Sequence, residues 1–305
     1  MHTPGVYLPK DIHFKLEDIP YHPEPLAVLV VNPAFFAIID VKNPYMEGKE
    51  GHVNHQKALE QWQALYDLYL KWVDEDELES LSELEGVAGC EDMVFCANQS
   101  LPWTKDGEKV VVLSNMRYPS RQKEVPAFEE FYTYLGYKIY KLTTTDLLEG
   151  NGDFIIHPGK NLFWAGYGHR TGLEGIKEAA GYLGATVIPL KLVSEYFYHL
   201  DTCLVPLSED TVMLCEEAFD EESLSAVKKI FKNVIPIDRT EAVNTFCLNA
   251  TALRLKSGKK VAIIQRGSES TNKILRDNGY EVYEVETGEF MQSGGSVFCM
   301  KMMHF

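Results

Sequence analysis

Two hydrophobic patterns alternate along the chain: short, fully apolar runs, and longer stretches in which apolar residues recur every three or four positions. The first run is Leu26-Ala27-Val28-Leu29-Val30-Val31, and Asn32-Pro33 ends it. A run this short, closed by a proline that restricts the residue before it, predicts a buried strand. Residues 1–25 are polar and hold Pro4, Pro9, Pro20, Pro23 and Pro25, which predicts an irregular lead-in. A second turn is expected at Asn43-Pro44-Tyr45-Met46. From 55 to 73, Leu59, Trp62, Leu65, Tyr66, Tyr69 and Trp72 follow helical spacing and predict one amphipathic helix. The acidic run at 74–85 reads as a solvated helix or loop.

Beyond this point a unit recurs. A helical stretch runs into a small turn and then a β-rich strand at 135–140, 183–188, 231–236 and 278–283. The spacing is about 48 residues, in the range of repeat architectures. A Gly or Asn just past each helix suits a left-handed cap. Each turn is followed further on by a polar stretch that enters a second strand, at 148–154, 198–203, 244–249 and 295–299, with an earlier counterpart at 91–98. Five α/β units result. A linear array would need polar end caps, whereas a closed ring satisfies every unit. A ring also turns equivalent positions toward one axis: Asn98, Glu149 with Asp153, His199 with Asp201, Asn249, and Cys299. The expected organisation is the lead-in at 1–25 and a single domain at 26–305.

Composition narrows the function. The formal net charge of −16 disfavours binding to a phosphate backbone and is compatible with attracting small cations. The six cysteines show no C-x-x-C spacing, so neither a zinc site nor any other metal site is expected. His52 and His55 share a three-residue step but lack a third ligand nearby. The first residues lack the basic and apolar regions of a signal peptide, and no apolar run is long enough to span a bilayer. A cytoplasmic protein with free thiols, using no cofactor and binding neither nucleic acid nor membrane, is the expectation. The oligomeric state stays open, a homo-oligomer included. The glycines of residues 166–172 have the wrong spacing for a dinucleotide loop, and Gly258-Lys259-Lys260 lacks the upstream glycine of a P-loop.

The candidate chemistry comes from residues gathered by the repeat. Carboxylates hold a planar guanidinium through paired, charge-assisted hydrogen bonds. Glu149 and Asp153 supply such a clamp, with Asn98 as a neutral wall. A bound cation beside Cys299 favours its thiolate, which then attacks the guanidinium carbon. His199 protonates the departing amine and afterwards activates water. Asp201, two residues on, is expected on the same strand face, helping to hold substrate or imidazole. Arg121 and Arg170 are candidates for binding a substrate carboxylate.

Three motifs together, Glu149-Gly150-Asn151-Gly152-Asp153, His199-Leu200-Asp201-Thr202 and Gly294-Gly295-Ser296-Val297-Phe298-Cys299-Met300, resemble those of the pentein superfamily of guanidino-group-modifying enzymes. The resemblance covers residue 26 to the end. It implies a five-fold pseudo-symmetric α/β-propeller, with Cys299 as nucleophile, His199 as general acid/base and Glu149 as partner of histidine and guanidinium. It implies Asp201 as companion of the histidine, and Arg121 and Arg170 as carboxylate-binding arginines. Asn98 stands where typical deiminases and dimethylargininases carry Asp, and the glycine turn is one residue longer than their usual Glu-Gly-Gly-Asp. With Asn43-Pro44-Tyr45-Met46, where Asn43 is a further substrate-binding candidate, these departures resemble the arginine dihydrolase branch. That branch turns arginine into ornithine, ammonia and carbon dioxide. The alternatives are an arginine deiminase or dimethylargininase giving citrulline, an amidinotransferase, and a non-catalytic, ribosome-binding pentein.

Overall fold

The computed structural model describes residues 2–305. Among the described residues, five three-stranded cores of one build make up the sheets, one of them extended by a fourth strand. In each, the strands before and after a helix pair in parallel, and a third strand pairs antiparallel with the first of them. The parallel pairs are Ala27–Val31 with Ser80–Leu84, Glu108–Leu113 with Lys138–Lys141, and Leu162–Tyr167 with Thr186–Lys191. Thr211–Leu214 with Asn233–Pro236 and Lys260–Gln265 with Glu281–Val285 complete them. The antiparallel partners, in the same order, are Met302–His304, Ser100–Lys105, Phe154–Ile156, Leu204–Pro206 and Thr251–Arg254. The middle strands are the apolar runs, because a strand covered on both faces has no polar side.

The chain divides into two compact units. One holds residues up to Glu24, Asn98–Ile237 and Phe305; the other holds Pro25–Ala97 and Asp238–His304. In the first, Trp103, Val110, Phe154, Phe163, Ile176 and Val187 are core residues. Its early residues include a two-residue strand, Gly5–Val6, parallel to Thr186–Lys191. In the second, the helix His55–Asp74 buries Trp62, Leu65, Tyr69 and Trp72 against Val28, Val30, Ile263 and Phe290. Asn54 caps this helix by accepting the Lys57 N–H at 3.1 Å, offsetting an orphan donor. Leu59, placed by its spacing on the apolar face, points to solvent instead.

Three further expectations are corrected. The acidic run at 74–85 contains the strand Ser80–Leu84, because the middle strand Ala27–Val31 needs a partner for its backbone groups. The cap expected from Asn233 is missing: that residue opens a strand, whereas Gly184 does take the left-handed conformation (φ 63°) after the helix Leu173–Leu183. Residues 297–300 form a turn, not a strand, and the final strand is Met302–His304.

Candidate active site

The candidate residues lie mostly on turns and loops that precede or follow strands, where backbone geometry can vary while the sheet holds its place. In the first unit, Glu149 caps a single helical turn, Gly150–Asp153, and its side chain is fully buried. Its Oε2 accepts from His199 Nε2 at 2.7 Å and from Arg170 Nη1 at 3.1 Å, while Oε1 accepts the Arg117 N–H at 2.9 Å. Burial alone would raise the Glu149 pKa, but the Arg170 charge and the His199 hydrogen bond outweigh it and hold the carboxyl below its ordinary value. Burial lowers His199 to about 4 against the opposing pull of Glu149, so the imidazole is neutral at physiological pH.

Arg170 is buried between two aromatic faces, 4.7 Å from the ring centres of Tyr118 and of Tyr198. This cation–π sandwich fixes a planar guanidinium more firmly than it would a lysine. Asp153 accepts from Thr171 Oγ1 at 2.6 Å and from the Leu200 N–H at 3.1 Å. Burial pushes its pKa well up, the Glu149 and Asp201 charges adding to the shift. Asp201 lies in the short 3₁₀ turn Leu200–Thr202, so the shared strand face expected with His199 does not exist. A turn of this kind removes the two-residue periodicity on which that expectation rested.

Asn98 is buried beside this group. Its Oδ1 accepts from Arg121 Nη1 at 2.9 Å, while Nδ2 has no hydrogen-bond partner among the described residues. Arg121 also donates through Nε and Nη2 to Glu124, a buried carboxylate that accepts from Gln99 Nε2 at 2.5 Å. Gly152 makes room for the amide: a Cβ there would overlap Asn98 Nδ2 and approach the His199 ring. One unit therefore joins Asn98, Arg121, Glu149, Asp153, Arg170 and His199 through contacts or close approach, with Asp201 acting on Asp153 through its charge.

Cys299 and Asn43 belong to the second unit. Cys299 is buried on the turn after Gly294-Gly295. Gly295 is required because any side chain there would overlap the Phe95 ring. Asn249 donates through Nδ2 to Cys299 Sγ at 3.2 Å. Asn43 caps its own turn through Oδ1 and donates through Nδ2 to Ser293 O at 3.0 Å, tying residues 43–46 to the glycine loop. Motif reading missed Glu124, Thr171, Tyr118 and Tyr198, whose value lies in contacts that no local pattern announces. Among the described residues no cluster of His, Cys, Asp or Glu could hold a metal ion, and no helix is long and apolar enough to cross a membrane.

The sequence profile of the family described as eukaryotic N,N dimethylarginine dimethylhydrolase matches residues 33–305. The chain belongs to this family. Within it and around it the relatives divide by activity. The bifunctional arginine dihydrolase/ornithine cyclodeaminase AgrE of Nostoc sp. is 31% identical over 276 residues, 90% of this chain. The chain spans only 37% of the length of that relative. An N(G),N(G)-dimethylarginine dimethylaminohydrolase of Mycobacterium tuberculosis is 32% identical over 267 residues, covering 88% of this chain and 82% of the relative. Among solved structures, the product-bound N-terminal domain of ArgZ, a cyanobacterial arginine dihydrolase, superposes with a TM-score of 0.81 at 30% identity. That likeness covers 92% of this chain and 97% of the domain. The chain thus shares the mixed α/β fold of these relatives.

Proposed function

We propose that this chain hydrolyses the guanidino group of arginine or a close derivative through a covalent intermediate on Cys299, and that its reaction is that of an arginine dihydrolase. The hydrogen bond between His199 and Glu149 supports the enzymatic reading best, because a buried neutral imidazole on a buried carboxylate is built to move protons. The wider architecture in this proposal is one catalytic domain at 26–305 in which the five α/β units close into a ring, turning the Cys299 turn toward the His199 group. Residues 1–25 form no unit of their own, and the irregular lead-in expected there is corrected by Gly5–Val6, which adds a strand beside Thr186–Lys191. The recurrence of one three-stranded build five times along the chain supports the five-unit reading.

In the proposed reaction Asp153 and Glu149 receive the guanidinium. Sγ of Cys299 bonds to the guanidinium carbon, and the tetrahedral adduct collapses by breaking a C–N bond. His199, charged by taking the proton that the Cys299 thiol gives up on attack, delivers it to the departing ammonia, which leaves a thiouronium on sulfur and the imidazole neutral again. Neutral His199 then takes a proton from water, which attacks the same carbon and releases the enzyme. A second hydrolysis gives ornithine, so that arginine and two waters yield ornithine, two ammonia and carbon dioxide. Asn98 supports this outcome over simple deimination. Its Nδ2 donates where an ionised Asp could only accept, which suits the oxygen of a ureido group. Asp201 adjusts the Asp153 charge. Arg121 and Arg170 face the substrate carboxylate while each also serves an internal partner, so their loss should lower kcat as well as raise KM. Asn43 shapes the substrate side from the Cys299 unit.

Family membership favours a second reading, hydrolysis of methylated arginines to citrulline and an alkylamine. Incubation with L-arginine, methylated arginines and agmatine separates the two. Ornithine with two ammonia identifies the dihydrolase, citrulline with methylamine or dimethylamine the alternative, and transfer dependent on added glycine an amidinotransferase. Failure to consume any of these compounds, or full turnover by Cys299→Ala, overturns the proposal.

A further inference from the structure

One side chain, Asn249, gathers several backbone groups of the Cys299 turn. Its Oδ1 accepts three backbone N–H groups from this turn: Ser296 at 3.1 Å, Phe298 at 3.2 Å and Cys299 at 3.3 Å. Its backbone carbonyl accepts the Phe298 N–H as well, at 2.9 Å. Three donors on one amide oxygen leave no ambiguity about which end of the carboxamide is which. A flipped amide would set its NH2 against three N–H groups. The nitrogen is therefore the end that faces the sulfur, and it donates to Sγ at 3.2 Å.

The protein maintains this arrangement at a local cost. Asn249 is fully buried. It is reached through Phe246, which has a left-handed backbone (φ 50°) immediately after the helix Arg239–Thr245. For a bulky residue that conformation is an outlier. It lets the Phe246 carbonyl accept the Asn249 N–H at 2.9 Å, closing a tight turn that carries the carboxamide to its place. From the other side, Ser296 Oγ lies 2.6 Å from Thr287 Oγ1, which donates to Gln265 Oε1 at 2.6 Å. The charged group on the same turn, Lys301, places its Nζ 3.3 Å from the Phe298 ring centre.

We infer that Asn249 is a catalytic residue, whose amide N–H stabilises the Cys299 thiolate while its amide oxygen holds the turn that aims the sulfur. A donor directed at sulfur favours the anion over the thiol, because the charged acceptor forms the stronger hydrogen bond. The inference rests on Cys299 being the nucleophile, but its test reads the sulfur directly and needs no substrate.

The test is the pH dependence of iodoacetamide alkylation at Cys299, read by mass spectrometry of its peptide in the intact folded chain. Asn249→Asp retains an oxygen for the three N–H donors, which keep the new carboxylate ionised, and replaces the donor to sulfur with an acceptor. The expected result is a Cys299 midpoint raised by about one pH unit or more, with alkylation at pH 7 slowed about tenfold. A profile that superimposes on the wild type overturns the inference. A second readout uses the unmodified protein. The Asn249 side-chain amide resonances, assigned by their loss in the variant, should shift as Cys299 ionises, and resonances that stay still across that titration overturn it. A protein that consumes no guanidino compound but shows the shifted profile retains this inference and loses the proposed function. Active protein with an unshifted profile does the reverse.

Discussion

Replacing Glu149 with Gln probes the buried charge network most directly. The carboxylate accepts from His199, Arg170 and the Arg117 N–H at 2.7, 3.1 and 2.9 Å, and its side chain is fully buried. Glutamine keeps one acceptor oxygen and adds two N–H groups, so at least one donor must face another donor. The Arg170 cation loses its counter-charge. Leaving a buried charge uncompensated costs about 3–5 kcal/mol. At roughly 2 °C per kcal/mol for a chain of this size, Tm should fall by about 6–10 °C at pH 7. The pH dependence has a definite sign. The Glu149 pKa is lowered in the folded state, so its stabilisation is complete above its ordinary value of 4.5 and is lost as the pH falls through the lowered value. The Tm difference should therefore be constant near neutrality and should begin to contract below about pH 4.5. Turnover should fall by about a hundredfold or more, since His199 loses the group that orients it and holds its proton. Calorimetry and steady-state rates on the same preparation provide the check. A Tm within 2 °C of the wild type at pH 7, or undiminished turnover, would refute the assignment of Glu149 as the carboxylate that organises this network (the 2 °C bound being roughly one kcal/mol on that scale).

Four further outcomes are expected. With His199 held near a pKa of about 4, the acid limb of kcat/KM should lie well below the ordinary histidine value of 6.5, and a limb at 6.5 would contradict the buried neutral imidazole. The same shift removes stability as the pH falls from 6.5 toward 4, because the unfolded histidine takes up a proton first. Gly152→Ala should displace Asn98. Overpacking of about 1–3 kcal/mol is expected there, visible as a lower Tm and a kcat reduced about tenfold or more; activity equal to wild type would deny the close approach. Glu124→Gln should release Arg121 and, through it, the Asn98 amide, lowering kcat about tenfold and moving the ratio of ornithine to citrulline toward citrulline. Product analysis by chromatography decides this, and an unchanged ratio would show that Asn98 does not depend on Glu124.

Local order in the sequence was sufficient for a good part of this molecule. Hydrophobic periodicity determines the helix at His55–Asp74, and the alternation of helix, turn and strand determines the run of α/β units, because burial of apolar faces at periods of 3.6 and 2 is a local property. The motifs containing Glu149, Asp153, His199 and Cys299 were visible as short contiguous stretches at matching places of the repeat, and they resemble those of a known superfamily. Pairings between distant segments were not. The strand at Ser80–Leu84 is partly exposed, lies within the acidic run, and exists because Ala27–Val31 requires a partner. The turn at Cys299 is apolar enough to read as a strand, yet Asn249, 50 residues earlier, claims three of the N–H groups around it. Likewise, the sequence shows an asparagine at 98 but not which end of its amide faces the site. Arg121 decides that, and Glu124 holds Arg121. Residue type and spacing determine which groups are present. Only the tertiary structure decides which donor meets which acceptor, and in a buried site that choice sets the charge and direction of every group.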